Sequence, residues 1–230
     1  MTTSLDPRRG EAVGPTHTTA LRLAAAPRVI RTGIGTWDGA MKLPLKPLSM
    51  ESAYGDPQLL HALGFEVALA ARRLNADVIV GGESAGIPLA EAGGFVGNQP
   101  FAFVRKPSYV GHEQDEPRIR GATVSGRRVA FVDDAVWEGK AIEGFATSLE
   151  EAKAEVVGVF CLVDMRDVAA AVTPTARDLP TTSISGYLEL LRLATAAGVL
   201  KPHWHALALD AIVHSWPDTD PRWAELEQAS

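Results

Sequence analysis

The chain has 230 residues, of which 46% are hydrophobic and 22% are charged, proportions typical of a globular protein with a full apolar core. Its formal net charge of −6 argues against non-specific binding to nucleic acid or to an anionic membrane, because both require a positive field. We therefore predict one large α/β domain with appendages, and neither a nucleic-acid nor a membrane partner.

Cysteine content and hydropathy indicate the cellular compartment. The single cysteine, Cys161, lies in the apolar run 156–163, which predicts a small buried residue and excludes an internal disulfide. No apolar run approaches the ~18 residues of a membrane span, and the N-terminus lacks the charged-then-apolar order of a signal peptide. We therefore predict a reducing, cytoplasmic setting.

The first fifty residues alternate between irregular and periodic segments. Residues 1–19 are rich in Thr, Pro, Gly and charge without periodicity, which predicts a flexible tail. Residues 21–30 fit a short helix and strand, and residues 31–36 fit a turn with spaced glycines. Residues 43–50 are apolar but contain two prolines, which predicts an edge strand or an ordered loop.

A helix and a strand–turn–helix unit follow. The helix is predicted to begin at Asp56-Pro57, where Asp caps and Pro occupies the first turn, and to end near Arg73. Residues 76–90 then give a strand, a glycine-rich turn and another helix. Glycines at the carboxyl end of a strand let backbone N–H groups approach an anion, and the following helix adds its positive end. We therefore expect an anion site at this turn.

A basic segment separates the two halves of the predicted sheet. Residues 101–106 form the next predicted strand, which ends in Arg105 and Lys106. Residues 107–126 lack periodicity, which predicts a functional flap or a β-hairpin arm. Six basic residues stand against three acidic ones between Arg105 and Arg128, a balance that suits a small polyanion.

Residues 129–141 form the centre of the predicted site. Four apolar residues, 129–132, predict a buried strand of a parallel sheet, and this strand ends in two carboxylates, Asp133 and Asp134. After them come a turn through Gly139 and an apolar face at helical spacing. Because ligands bind beyond the carboxyl ends of parallel strands, the two carboxylates lie where chemistry is expected.

Strands and helices continue to alternate along the rest of the chain. Residues 155–164 predict another buried strand, and a short strand and a helix follow it. This alternation predicts an α/β fold with a right-handed, doubly wound parallel sheet, and residues 20–200 form its predicted domain. Residues 201–230 predict a helical extension, whose apolar face is covered either by the domain itself or by a second subunit.

Four motifs together resemble those of the type I phosphoribosyltransferases. The strand ending in Asp133-Asp134 and its loop through Gly139 resemble that family's signature for 5-phosphoribosyl 1-diphosphate (PRPP). Three further stretches resemble the orotate phosphoribosyltransferase branch, namely its pyrophosphate loop (81–90), the start of its flexible loop (103–106) and its base-contacting strand end (163–164). The resemblance implies a doubly wound sheet with a small hood.

The resemblance also implies a role for each matched residue. Asp133 and Asp134 are expected to hold the ribose hydroxyls and to favour positive charge at C1, while Arg105 and Lys106 are expected to bind the leaving pyrophosphate. The positions carried over for donor binding are Glu83, Ser84, Ala85, Gly86, His112, Glu138, Gly139, Lys140 and Ala141. Those carried over for acceptor binding are Arg31 and Arg166, and no protein ligand to a metal is predicted.

A structural alternative stands beside several of these roles. Asp133 and Asp134 also fit a helix N-terminal cap. Arg105 and Lys106 also fit a solvated loop, and His112 also fits an exposed loop histidine. In each case the alternative needs no ligand, so the geometry of the folded chain has to separate the two interpretations.

The C-terminal extension offers a second set of ligand-type side chains. It contains His203, His205, Asp210 and His214, which together suggest a metal site. A helix, however, places His203 and His205 on different faces. We therefore favour a surface or packing role for these residues over metal binding.

The chain departs from the family pattern in the loop after the carboxylates. Trp137 and Glu138 replace the two hydroxyl residues that hold the 5′-phosphate, and Ala141 replaces a third small hydroxyl residue. A carboxylate repels a phosphate unless it turns away, whereas Lys140 offers a point charge in place of the lost hydroxyls. The arginine expected to contact orotate is displaced by one position, to Arg166.

These observations predict an enzyme, a transferase of the phosphoribosyltransferase type. It is expected to transfer ribose 5-phosphate from PRPP to orotate or a related planar acidic acceptor, as in pyrimidine biosynthesis, with Mg²⁺ bound mainly through PRPP or pyrophosphate. The resemblance also implies a homodimer. Two alternatives remain, a non-catalytic binding or regulatory protein of the same fold and a glycosyl-transfer enzyme whose donor lacks the 5′-phosphate.

Overall fold

The structure is a computed structural model that describes residues 17–26, 28–37, 41–46, 49–106, 118–169 and 172–227. The chain divides into two compact units, of which one contains Leu60–Ser185 and the other contains Thr16–Leu59 and Gly186–Ser230. The predicted C-terminal extension lies within the second unit. None of the helices in the described ranges is both long enough and apolar enough to cross a bilayer.

Helices and strands alternate through most of the chain. The first described elements are α1 (His17–Ala25), β1 (Arg31–Trp37), β2 (Met41–Lys46), α2 (Glu51–Tyr54) and α3 (Pro57–Arg73). The next are β3 (Val78–Gly82), α4 (Gly86–Gly97), β4 (Phe101–Val104), β5 (Ile119–Gly121), β6 (Arg128–Val136), α5 (Lys140–Glu151), β7 (Glu155–Asp164), α6 (Pro174–Asp178) and β8 (Thr181–Gly186). The last are α7 (Tyr187–Ala196), α8 (Pro202–His214) and α9 (Trp223–Glu227).

The first unit is built on a six-stranded sheet with the order β5-β4-β3-β6-β7-β8. Strand β3 is parallel to both β4 and β6, and β6 is parallel to β7. The residues of β3 are all buried, as expected for a strand covered on both faces. These features confirm the predicted α/β fold class. The edge strand β5 is antiparallel to β4, so part of the segment predicted to form a flap or a β-hairpin arm joins the sheet.

Strand β6 is longer than its apolar run predicts. The strand predicted to end in the two carboxylates continues past them, because β6 extends through Val136. Its pairing with β3 stops at Val132, whereas its pairing with β7 continues from Asp133, opposite Cys161, to Val136, opposite Asp164. The backbone ladder with β7 therefore holds both aspartates in extended conformation at the open end of the sheet.

The second unit corrects one prediction and confirms another. Residues 31–36, predicted to form a turn, lie in β1, which pairs with β2 in an antiparallel two-stranded sheet. The register shifts between Thr32 and Gly35, so the spaced glycines accompany a bulge in the strand and not a turn. The predicted start of α3 is confirmed, because Asp56 Oδ1 accepts hydrogen bonds from the N–H groups of Gln58 (2.9 Å) and Leu59 (3.1 Å).

The core of the first unit lies between the sheet and its helices. One face of α5 packs Ile142, Phe145 and Leu149 against the sheet, which confirms the apolar spacing predicted for this helix. Cys161 is fully buried in the same cluster, as predicted, and burial raises the pKa of its thiol. Helix α4 approaches α3 so closely that a Cβ on Gly64 would lie 2.8 Å from the carbonyl oxygen of Ala92.

The C-terminal helices bury part of their apolar face, while Val213 remains 70% exposed. Trp216 and Trp223 are buried, and their rings meet edge to face with centroids 5.2 Å apart. Asp210 accepts hydrogen bonds from Trp216 Nε1 and from Arg222, and it lies 2.9 Å from His214 Nδ1. These contacts lower the pKa of the Asp210 carboxyl, with the Trp216 hydrogen bond as the largest cause. Two of the predicted ligand-type side chains thus make a packing contact within this unit.

Candidate active site

The candidate site lies where the parallel strands of the first unit reach their carboxyl ends. Parallel strands that end at one edge of a sheet bring the residues that follow them together. Strand β3 ends in a glycine-rich loop, β4 is followed by Arg105 and Lys106, and β6 and β7 end in carboxylates. The carboxyl residues placed at this edge are Glu83, Asp133, Asp134 and Asp164.

The glycine-rich loop after β3 depends on close backbone approaches. A Cβ on Gly81 would lie 2.3 Å from the carbonyl oxygen of Gly86, and a Cβ on Gly86 would lie 2.2 Å from the carbonyl oxygen of Val132. The loop therefore folds back on itself and lies against β6, one residue before Asp133. The Glu83–Ser84 peptide bond within it is cis. This is the loop whose residues 83–86 were predicted to contact the pyrophosphate.

Glu83 joins this loop to the end of β4. Its backbone N–H donates to the carbonyl oxygen of Val104 (3.0 Å), and its Oε2 accepts from the backbone N–H of Lys106 (2.8 Å). The N–H of Arg105 donates to the carbonyl oxygen of Arg118 (2.9 Å), so β5 also holds this segment. The structure therefore brings Glu83 and Lys106 together and leaves the Lys106 side chain exposed at the edge of the sheet.

Asp133 lies over a gap that a glycine creates in the sheet. A Cβ on Gly82 would lie 3.3 Å from Asp133 Oδ2, 2.8 Å from Cζ of Phe131 and 3.0 Å from Cε2 of Phe145. The carboxyl group therefore shares its surroundings with two phenyl rings. This burial raises the pKa of Asp133 well above its usual range, and the negative charge of Asp134 raises it further.

Asp134 forms a hydrogen-bonded pair with Asp133. Its backbone N–H donates to Asp133 Oδ1 (3.0 Å), and its own Oδ1 accepts from the N–H of Ala135 (2.8 Å). Burial raises the pKa of Asp134 as well, but the hydrogen bond between the two side chains raises the pKa of Asp133 and lowers that of Asp134. The hydrogen bond between the two side chains therefore favours the protonated form of Asp133 over that of Asp134.

This arrangement makes a testable prediction for stability. Because the folded state raises the pKa of Asp133, folding is penalised as the pH rises above the ordinary carboxyl pKa of about 3.9. Asn reproduces the protonated carboxyl, so Asp133→Asn is expected to raise the free energy of unfolding by about 1 kcal/mol at neutral pH. Thermal melts across pH should show this gain fading toward pH ~3. A lower melting temperature for the variant at neutral pH would contradict this account.

The loop between β6 and α5 is fixed by its neighbours. Trp137 is 4% exposed, so its indole is buried within the protein. The carbonyl oxygen of Glu138 accepts from the N–H of Thr173 (2.7 Å). Gly139 has φ +88°, and a Cβ there would lie 2.1 Å from the Cβ of Ala176 at the start of α6. The positive φ and the contact with α6 both require glycine at this position.

Helix α5 begins at Lys140, with Gly139 as its N-cap and no side chain capping it. Neither Asp133 nor Asp134 caps this helix, so the capping alternative does not apply. Glu138 Oε2 lies 2.6 Å from Lys140 Nζ, and the Glu138 side chain is 20% exposed against 66% for Lys140. Ala141 is exposed at the following position. The predicted phosphate loop therefore contains an internal ion pair.

Arg166 is bound within its own chain. Its guanidinium donates to both carboxylate oxygens of Asp164, with Nη2 2.6 Å from Oδ2, and to the carbonyl oxygen of Ala176. The hydrogen bond to Asp164 raises the pKa of Arg166. These contacts join the end of β7 to α6, the helix that packs on Gly139. Arg166 therefore helps to hold α6 against the loop between β6 and α5, whereas the sequence predicted a contact with the acceptor.

Two residues predicted to bind substrate have side chains outside the described part of the chain. Arg31 begins β1 in the second unit, and its side chain is outside the described part of the chain. His112 lies outside the described residues altogether. Helix α6 was not predicted from the sequence; the side chain of its N-cap, Thr173, accepts a hydrogen bond from the N–H of Ala176 (3.4 Å). The sequence signal available for it was Thr173-Pro174, a capping residue followed by Pro in the first turn.

The doubly wound sheet and the carboxyl pair at its edge define the architecture of a type I phosphoribosyltransferase. Over 168 residues the chain is 29% identical to the orotate phosphoribosyltransferase of Pyrobaculum islandicum, a match that covers 71% of this chain and 85% of that protein. No protein-family model matches the chain.

Solved structures give the same result for the fold. The orotate phosphoribosyltransferase of Mycobacterium tuberculosis H37Rv aligns with a TM-score of 0.60 at 21% identity, over 75% of this chain and 98% of that one. The same Mycobacterium enzyme has been solved in complex with PRPP. Leishmania donovani UMP synthase aligns with a TM-score of 0.70 at 21% identity, over 88% of this chain but only 43% of that longer protein. The resemblance predicted from the motifs is confirmed, and the chain is orotate phosphoribosyltransferase-like in sequence and fold.

Proposed function

We propose that the chain transfers ribose 5-phosphate from PRPP to orotate, or to a related planar acidic acceptor, and releases pyrophosphate. The observation that carries this proposal is the carboxyl pair Asp133-Asp134, held in extended conformation between the glycine-rich loop and the N-terminus of α5. Relatives named orotate phosphoribosyltransferase and the PRPP complex of the Mycobacterium enzyme support it.

The carboxyl pair suits a reaction that develops positive charge on a sugar. Displacement of pyrophosphate from C1 of PRPP passes through a state that resembles a ribosyl cation, which a fixed carboxylate stabilises. Asp134 is the better candidate for this contact, because the hydrogen bond between the two side chains raises the pKa of Asp133, whose carboxyl lies near the rings of Phe131 and Phe145 around Gly82. Asp133 then fixes the position of the Asp134 carboxylate through their hydrogen bond.

The leaving pyrophosphate fits the glycine-rich loop. Helix α4 begins at Gly86 without a side-chain cap, so its positive end faces the loop. Within its first turn the N–H of Ile87 donates to the carbonyl oxygen of Ser84 (3.3 Å) and Pro88 has no N–H, so we propose that the backbone of the loop, residues 84–86, contacts the anion. Ser84, Ala85 and the main chain of Glu83 line the same loop, and Lys106 follows the neighbouring strand. We propose that Lys106 and Arg105 neutralise charge on the departing pyrophosphate, as the resemblance implies.

The carboxylates at this edge also suit Mg²⁺. That ion usually takes one or two protein carboxylates and completes its shell with water and substrate phosphates. The Asp134 carboxylate can supply one such ligand, whereas the described residues contain no cluster of three or more acidic, histidine or cysteine side chains that could hold a metal alone. Bound through PRPP, Mg²⁺ would supply charge neutralisation for the diphosphate.

The acceptor contacts and the assembly are proposed from the resemblance. Arg31 and His112 remain candidates for the acceptor and the pyrophosphate, and Arg166 is proposed to act on the acceptor side through Asp164. We also propose a homodimer acting in the cytoplasm. Apolar side chains exposed on the first unit are available to a second copy, and they are Phe65 (55% exposed), Phe95 (85%) and Phe101 (37%).

Pyrophosphate release separates the proposed function from its alternatives. Purified protein is mixed with PRPP, Mg²⁺ and orotate, and pyrophosphate is measured against mixtures that lack one component. The proposal predicts release only in the complete mixture. Binding of PRPP without release with any planar acidic acceptor would instead support a regulatory protein. Absence of PRPP binding at millimolar concentration would contradict the proposal.

A further inference from the structure

The loop that follows the carboxyl pair contains a side-chain carboxylate, that of Glu138. Glu138 Oε2 lies 2.6 Å from Lys140 Nζ, and the Glu138 side chain is 20% exposed, so the carboxylate is held largely inside the loop. Lys140 is the first residue of α5, where backbone N–H groups lack a carbonyl partner and the helix end is positive. An internal carboxylate is thus paired with the cation at this helix N-terminus.

The backbone around this ion pair has little freedom to adjust. The carbonyl oxygen of Glu138 accepts a hydrogen bond from the N–H of Thr173, and Gly139 is packed against Ala176. Trp137 is buried on the preceding side. A ligand that reaches the loop therefore meets a main chain held on both sides, so adjustment falls to the side chains of Glu138 and Lys140.

We propose that Glu138 competes with the donor's 5′-phosphate for Lys140 and for the N-terminus of α5. This inference rests on the proposed function, which places that phosphate beside the loop. A phosphate monoester carries between one and two negative charges, so the carboxylate must either leave Lys140 or repel the incoming group. Glu138 is then a specificity-determining residue, because it limits how much affinity a 5′-phosphate adds to a bound riboside.

The experiment compares two ligands that differ only in this phosphate. Calorimetry measures the Kd of orotidine 5′-monophosphate and of orotidine for the unmodified protein and for Glu138→Gln. Removal of the carboxylate charge is expected to tighten binding of the monophosphate about 10-fold and to change orotidine binding less than about 2-fold. Glu143→Gln is the matched control, since Glu143 is exposed in the first turn of α5, just after the loop that contains Glu138, and undergoes the same chemical change. It is expected to leave both Kd values within about 2-fold.

Each other outcome overturns the inference. If Glu138→Gln leaves the ratio of the two Kd values unchanged, Glu138 does not compete with the phosphate while the proposed function stands. An equal gain in Glu143→Gln would assign the effect to net charge and would also overturn it. If neither ligand binds any variant, the proposed function fails and this inference fails with it. Thermal melts of the variants confirm that each one is folded.

Discussion

Replacement of Asp134 by Asn is expected to lower kcat/KM for pyrophosphate release from PRPP and orotate by about 10²–10³-fold. Asp134 is the carboxylate that Asp133 and the N–H of Ala135 hold in place at the end of β6. Asn keeps the shape of this side chain but removes the negative charge that would face the developing cation. The fold should persist, because burial already disfavours the charged form of Asp134.

Asp133→Asn tests whether the two aspartates have different roles. The protonated form is favoured at Asp133, and Asn reproduces a protonated carboxyl, so we expect a loss of about 10-fold or less in kcat/KM. Glu150→Gln, at an exposed position on α5, should leave the kinetics unchanged. Equal losses in the two aspartate variants would contradict the assignment of Asp134 as the group that faces the sugar.

Gly86→Ala is expected to destabilise the first unit by about 3 kcal/mol and to lower its melting temperature by about 6–12 °C. The added Cβ would lie 2.2 Å from the carbonyl oxygen of Val132 and 3.2 Å from its carbonyl carbon. Both atoms belong to the backbone of the central strand, so no side chain can rotate to relieve the overlap. The pyrophosphate loop and the strand that carries the aspartates would have to separate.

Gly126→Ala is the control for the effect of adding a methyl group to a glycine. Gly126 has φ +70°, which strains alanine by about 1–2 kcal/mol, but nothing lies within 4 Å of the added Cβ. The melting temperature should therefore fall clearly less than in Gly86→Ala. If the two variants lose the same stability, the close approach of the loop to β6 is not required for the fold.

The central sheet and its carboxyl pair could be predicted because their signals are local. The apolar run 129–132 and the acids directly after it identify a buried strand and its end without knowledge of the neighbours. The length of β6 could not be predicted in the same way. Asp133 and Asp134 are extended because β7 pairs with them, and β7 is distant in sequence.

The roles of several site residues also depend on contacts that sequence patterns do not encode. Glu138 was expected to repel a phosphate or to turn away, and the structure shows a third arrangement in which it pairs with Lys140. Arg166 was predicted to contact the acceptor, but its guanidinium donates hydrogen bonds to the Asp164 carboxylate and to the carbonyl oxygen of Ala176. The Arg166 contact depends on the short helix α6, which has little periodicity to predict it, and the Glu138 contact depends on a side-chain rotamer.

A crystal structure of the protein with PRPP and Mg²⁺ tests the central claim most directly. The account predicts a ribose hydroxyl within hydrogen-bond distance of the Asp134 carboxylate, and diphosphate oxygens against the backbone N–H groups of residues 84–86. A ligand bound away from the edge formed by β3 and β6, or a ribose without contact to Asp134, would contradict the assignment of this carboxyl pair as the reaction centre.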